Sequence, residues 1–205
     1  LLEYAAKTLS LEPEVQFHLG MTYYMLGYES SARVALESAA ASEDMPFKQQ
    51  AAARLAVLAL DPSTGSRAVN RAALEKRLAE QPGDVIALSR LATILEKEGS
   101  YTQAVEKHRE ILKWSPKNVP ALLNTARICA DYLNDTEKAM SFARLARNNA
   151  PEDPGIAHLM GRLALRSQNW SWAADMLAEA VRKLPEDPDV DYDFAWANYF
   201  LGKLP

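Results

Sequence analysis

Apolar residues recur along this chain at helical spacing, in short blocks that come in pairs. Between Glu29 and Ala40, Ala32, Leu36 and Ala39 stand four and three residues apart, which draws one apolar stripe along a helix. The same stripe returns in Ala173, Leu177 and Ala180. A preceding block, VQFHLGMTYYMLG from Val15 to Gly27, predicts the partner helix, with Gly20 small where the two must approach and Gly27 at the bend. Six prolines punctuate the pairs: Pro13, Pro46, Pro82, Pro116, Pro151 and Pro185 lie 33, 36, 34, 35 and 34 residues apart. A self-similar period near 34 residues predicts a helical solenoid, whose units stack because none can bury its own apolar face.

Glycine precedes the first alanine by 12 residues, and that alanine precedes the second by 7, both in the first unit (Gly20, Ala32, Ala39) and in the fifth (Gly161, Ala173, Ala180). With the closing proline, these residues resemble the tetratricopeptide repeat (TPR) family. The third unit matches through Gly99, Tyr101, Ala104 and Pro116, with His108 and Ile111 replacing the usual aromatic and alanine. The fourth matches through Ala126, Ala139, Ala146 and Pro151, with an extra residue near Asn134. The second departs most: Leu58, Asn70 and Arg77 stand where small residues belong, and a kink is expected near Asp61–Gly65.

The resemblance implies an all-α fold, a right-handed superhelical TPR solenoid of antiparallel helix pairs, with about five repeats and flanking half-repeats. The expected organisation is one solenoid over 1–205, with units at 13–46, 47–82, 83–116, 117–151 and 152–185 and halves at 1–12 and 186–205. Leu1–Ser10 reads as the second helix of a preceding unit, and Asp189–Leu201 as the first helix of a following one, so a fragment of a longer chain is expected. Tyr192, Phe194, Trp196, Tyr199 and Phe200 give that last helix an aromatic surface suited to a further repeat or to self-association.

Composition narrows the function. A net charge of −4 and an acidic isoelectric point argue against general nucleic-acid binding, which needs a dense basic surface. No apolar run is long enough to insert in a membrane. The single cysteine, Cys129, excludes an internal disulfide and reads as a buried small hydrophobe. His18, His108 and His158 form no paired ligand motif, and there is no phosphate loop or nucleophile elbow, so neither a metal, a cofactor nor catalysis is expected. The acidic run Glu186–Asp193 suits a helix N-terminus better than a calcium loop.

What remains is protein binding. In the resembled family the first helix of each unit lines the concave surface. Arg90 and Asn124 stand at equivalent places in units three and four, as do Arg127 and Arg162 in units four and five. His158, Arg162 and Arg166 share one face at spacings of four. Arginine's planar fork suits carboxylates, so these six residues form a candidate surface for an acidic peptide. Pairing of Arg127, Arg162 and Arg166 with Asp131 or Asp193 is the competing reading. Phe17, Met21, Tyr24 and Met25 form a candidate apolar groove for a partner helix, or else pack against neighbouring repeats. Trp170 is expected between its paired helices, and Trp114 over an inter-repeat turn.

The carboxylate clamp that some TPR proteins use is disfavoured. Asn124 matches its middle asparagine, but Ser89, Thr93, Gly155 and Leu159 stand where its other polar residues belong. The resemblance therefore implies a non-catalytic protein–protein interaction scaffold. Similarity to bacterial envelope TPR proteins adds the expectation of a role in envelope assembly or export. The alternative is a regulatory or substrate-docking arm of an enzyme whose catalytic domain lies outside this segment.

Overall fold

A computed structural model describes residues 12–42, 46–60 and 67–203. The readings at Leu1–Ser10 and Asp61–Gly65 lie outside these. Among the described residues the structure is all helical, with eleven α-helices: α1 (Pro13–Leu26), α2 (Glu29–Ala40), α3 (Lys48–Ala59), α4 (Arg67–Glu80), α5 (Val85–Lys97), α6 (Tyr101–Trp114), α7 (Val119–Asp131), α8 (Thr136–Asn149), α9 (Pro154–Arg166), α10 (Trp170–Lys183) and α11 (Pro188–Phe200). Each repeat proline falls at or beside a helix boundary, where a residue without an N–H is tolerated. The helices gather into two compact units, Leu1–Ala121 and Leu122–Pro205.

In the first unit α1 packs on α2, α2 on α3, α4 on α5 and α5 on α6. A further contact runs from α1 to α5, past the intervening repeat. The core of this unit gathers Phe17, Tyr24, Leu36, Leu58, Leu74, Ile86 and Ile94. Leu58, large where the family prefers a small residue, is buried within it. In the second unit α8 packs on α9, α9 on α10 and α10 on α11. Its core is built from Ala164, Ala173, Leu177 and Ala197, with Ala157, Ala180 and Val190 beside them.

The small residues read from the periodicity are where helices meet. Ala32, Ala39, Ala104, Ala139, Ala146, Ala173 and Ala180 are fully buried. A Cβ on Gly20 would lie 2.8 Å from Leu36 Cγ, and one on Gly161 would lie 2.5 Å from Leu177 Cγ. Both leucines are fully buried and have nowhere to retreat. The two repeats thus solve one packing problem with one residue pair. Gly27 turns the chain out of α1 at φ 79°, a left-handed conformation that a glycine adopts freely.

Between the helices, the second unit is laced by side-chain pairs. Arg147 on α8 grips Glu179 on α10 through two hydrogen bonds of 2.8 and 2.6 Å. That pairing holds the Glu179 carboxyl below its usual range. Lys183 reaches the Glu152 carboxylate at 2.6 Å.

Substituting Gly161→Ala is expected to destabilise the protein. The added methyl gains about 1 kcal/mol of helix propensity, but overpacking a filled core costs about 1–3 kcal/mol. The collision with Leu177 is severe enough for the second effect to win. A lower urea midpoint at unchanged m-value would show it.

Candidate functional site

A polar residue stands two positions after each of four repeat prolines: Asp84, Asn118, Asp153 and Asp187. Each caps the next helix. The Asp84 carboxylate accepts the Ala87 N–H at 3.1 Å, Asn118 Oδ1 that of Ala121 at 2.9 Å, Asp153 those of Gly155 and Ile156, and Asp187 those of Asp189 and Val190. A cap of this kind is worth about 1 kcal/mol. Two of the four do more than cap.

Asp84, whose side chain is wholly buried, gathers three repeats. Its Oδ1 accepts the Tyr24 hydroxyl from α1 at 2.6 Å. Its Oδ2 accepts Arg54 Nη1 from α3 at 2.5 Å and Arg77 Nε from α4 at 2.8 Å. The Arg54 guanidinium also lies 5.2 Å from the centre of the Tyr24 ring. Burial pushes the Tyr24 phenol well above its ordinary range, and the adjacent carboxylate adds to the rise. Asn118 is equally buried and donates its Nδ2 to the Met25 carbonyl at 3.0 Å, so the end of α1 is tied to the start of α7.

This clasp corrects several of the sequence expectations. Arg90 is buried: its Nη2 donates to Glu29 at 2.8 Å and to the Leu58 carbonyl at 2.9 Å, and so joins α5 to α2 and α3. Tyr24 belongs to the core, because its hydroxyl is needed at Asp84. Phe17 is also buried, stacked on Phe47 with ring centres 4.8 Å apart. Of the four apolar candidates, Met21 and Met25 remain half-buried and line an open cavity with His18, Thr22 and Leu26.

The second unit brings three other candidates together. Arg162 and Arg166 both place Nη2 3.1 Å from Asp131 Oδ1. Arg166 donates a second bond to the Ala130 carbonyl. His158 meets Asp193 at 2.8 Å, and Arg162 Nε lies 3.8 Å from the same carboxylate. The arginines remain 36% and 39% exposed, so the pairing leaves them at the surface. Asn124 and Arg127 lie half-buried on α7.

Elsewhere, Trp114 lies over the inter-repeat turn at Gly83, where an added Cβ would approach its ring to 2.8 Å. Trp170 stacks on Phe200 with centres 4.2 Å apart. Tyr192, Trp196, Tyr199 and Phe200 leave an exposed aromatic face on α11. Cys129 is buried, which pushes its thiol up. His108 is buried too, with neither ring nitrogen in a hydrogen bond and Glu96 3.8 Å away. Among the described residues no group of His, Cys, Asp and Glu could hold a metal ion, and no helix is long and apolar enough to cross a membrane.

The family model described as the tetratricopeptide repeat matches residues 95–163. A TPR repeat-containing protein of Pseudomonas aeruginosa, PA4667, is 28% identical over 133 residues, which is 64% of this chain and 22% of that protein. Residues 95–163 thus match the tetratricopeptide repeat, and the described helices have the fold of TPR solenoids. The chain spans only about a fifth of the length of the Pseudomonas relative. Among solved TPR structures, Pseudomonas aeruginosa pilF superposes with a TM-score of 0.64 at 16% identity, over 93% of this chain and 85% of its own. The first TPR of Spaghetti (RPAP3), bound to the HSP90 peptide SRMEEVD, gives 0.55 at 16% identity, over 58% of this chain and 93% of its own. That fold suggests a protein–protein interaction scaffold.

The clasp at Asp84 was not read from the sequence, although a signal was present. A repeat that departs from the TPR pattern at Arg77, followed by a periodic cap at Asp84, marks a position where charge replaces packing. Replacing Asp84 with Ala leaves two guanidiniums without their carboxylate and is expected to cost about 3–5 kcal/mol of stability. Chemical denaturation would read this directly.

The Tyr24 phenol supplies a signed pH effect. Because its native pKa is raised, its stabilisation is complete below the ordinary phenol range. It is lost as pH rises through that range, where the unfolded chain gives up a proton that the native state keeps. Relative to wild type, Tyr24→Phe is expected to remove an alkaline slope of about 1.4 kcal/mol per pH unit. Paired denaturation curves across the alkaline range test it.

Proposed function

We propose that this chain is a non-catalytic scaffold that holds an acidic partner peptide on the face formed by His158, Arg162 and Arg166, with Asn124 and Arg127 contributing from α7. The observation that carries this reading is the sharing of one Asp131 oxygen by two exposed guanidiniums. One carboxylate oxygen cannot satisfy two arginine forks, so each retains donors for an incoming carboxylate. The stacked helices fix those donors in advance, and the partner carries most of the ordering cost.

Two features support the reading. The Spaghetti TPR structure holds a peptide that is acidic as written, SRMEEVD. The open cavity beside Met21 and Met25, about 530 Å³, offers a separate adaptable apolar surface in the first unit for a partner helix. A place in a bacterial envelope assembly or export system is part of the same proposal. The aromatic face of α11 is a candidate for self-association. A second reading, a docking arm serving a catalytic domain elsewhere in the same protein, draws on the much greater length of the Pseudomonas relative.

An acidic peptide with a fluorescent label is expected to bind and to lose at least tenfold in affinity when Arg162 and Arg166 are both changed to Gln. Each exposed pair is worth about 0–1 kcal/mol to the fold, so the variant should melt close to wild type. Equal affinity in wild type and variant, read by fluorescence anisotropy, would remove this surface from the account.

A further inference from the structure

The second repeat holds a site that the reading above does not use. Arg54 on α3 and Arg77 on α4 converge on one oxygen of Asp84, while the other oxygen is taken by Tyr24 and the Ala87 N–H. Two guanidiniums therefore share one carboxylate, which leaves the cluster with an excess of one positive charge. Arg77 spends a further donor on Gln81 at 2.7 Å. A guanidinium fork carries more N–H donors than these contacts use.

Those donors do not face a sealed core. Arg54 and Arg77 line an open cavity of about 190 Å³, whose other walls among the described residues are Gln49, Gln50, Ala53 and Gln81. None of these lining residues is acidic. Both arginine side chains are mostly buried, at 18% and 16% exposure, so their charge is screened less than that of a surface arginine. The glutamines carry both donors and acceptors, a chemistry suited to peptide groups.

We propose that this cavity binds the carboxylate of a partner peptide, gripped by Arg54 and Arg77 and flanked by the carboxamides of Gln49, Gln50 and Gln81. Asp84 acts as the internal counter-ion that aims both forks, and the ligand's carboxylate balances the charge Asp84 leaves over. The site is separate from the α9 face, where the arginines already meet two carboxylates. It also differs from the carboxylate clamp considered above, because it uses Arg77, which lies on the second helix of its repeat. It rests on the scaffold reading only for the ligand being a peptide.

The test is a titration followed through the Arg54 and Arg77 Nε–H signals by ¹H–¹⁵N NMR. Probes are acetate, a short acetylated peptide with a free C-terminal carboxylate, its amidated form, an amidated peptide with one internal glutamate, and inorganic phosphate. Acetate and at least one carboxylate-bearing peptide should shift both signals saturably, while the amidated control should not. Whichever peptide binds identifies the source, chain end or side chain. Gln50 is exposed, so Gln50→Glu should leave the fold intact, place a competing carboxylate at the mouth and weaken binding at least fivefold. Read at the Arg54 and Arg77 signals alone, the Arg162→Gln, Arg166→Gln variant should show the same saturable shifts even though it loses binding at the α9 face. Absence of a saturable shift, an equal shift with the amidated control, a response to phosphate alone, or indifference to Gln50→Glu would overturn the proposal. Binding of acetate but of neither peptide would overturn the peptide as ligand and leave the α9 surface to its own test.

Discussion

The Asp84 carboxylate is the contact on which the first unit depends. A buried carboxylate is costly unless it is paired and fully hydrogen-bonded. Here its two oxygens receive a phenol, two guanidiniums and a backbone N–H. The donors come from α1, α3, α4 and the first turn of α5, so one acceptor ties three successive repeats together. Arg90 and Asn118 extend the same principle, since each spans more than half of the unit to reach a carboxylate or a carbonyl.

This ordering explains why the first and second units present different surfaces. In the first, the residues that a regular repeat would offer to a partner have been drawn inward to hold the repeats to one another, and Tyr24 and Arg90 are the clearest cases. In the second, α8 to α11 pack through small residues, and their ion pairs lie part-buried between helices with no carboxylate as enclosed as Asp84 among those described. The arginines of α9 can therefore stay near the surface, each tethered by two contacts. Recognition is more available where packing already suffices.

Much of the fold was legible in the sequence because it rests on local period. Gly20 with Leu36, Gly161 with Leu177 and the fully buried alanines follow from spacing alone, since the helix turn dictates which side chains share a face. The clasp was not legible in the same way. Arg54, Arg77 and Tyr24 are separated from Asp84 by 30, 7 and 60 residues, and no period relates them. The pattern of Asp or Asn after the repeat proline was visible, but only its capping role follows from it. Of the candidate binding residues, His158, Arg162 and Arg166 were brought together as their spacing implies. Burial withdrew Phe17, Tyr24 and Arg90, because an arginine or tyrosine reads alike in sequence whether it faces a ligand or a buried acceptor.

Through the buried carboxylate, α1, α3 and α5 are bound to open together. Native-state hydrogen exchange measures that directly, by comparing opening free energies of amides in the three helices. A common value is expected for their slowest amides, with Asp84→Asn separating α1 from α5. Distinct values in the wild-type protein, with α1 opening independently of α5, would contradict it.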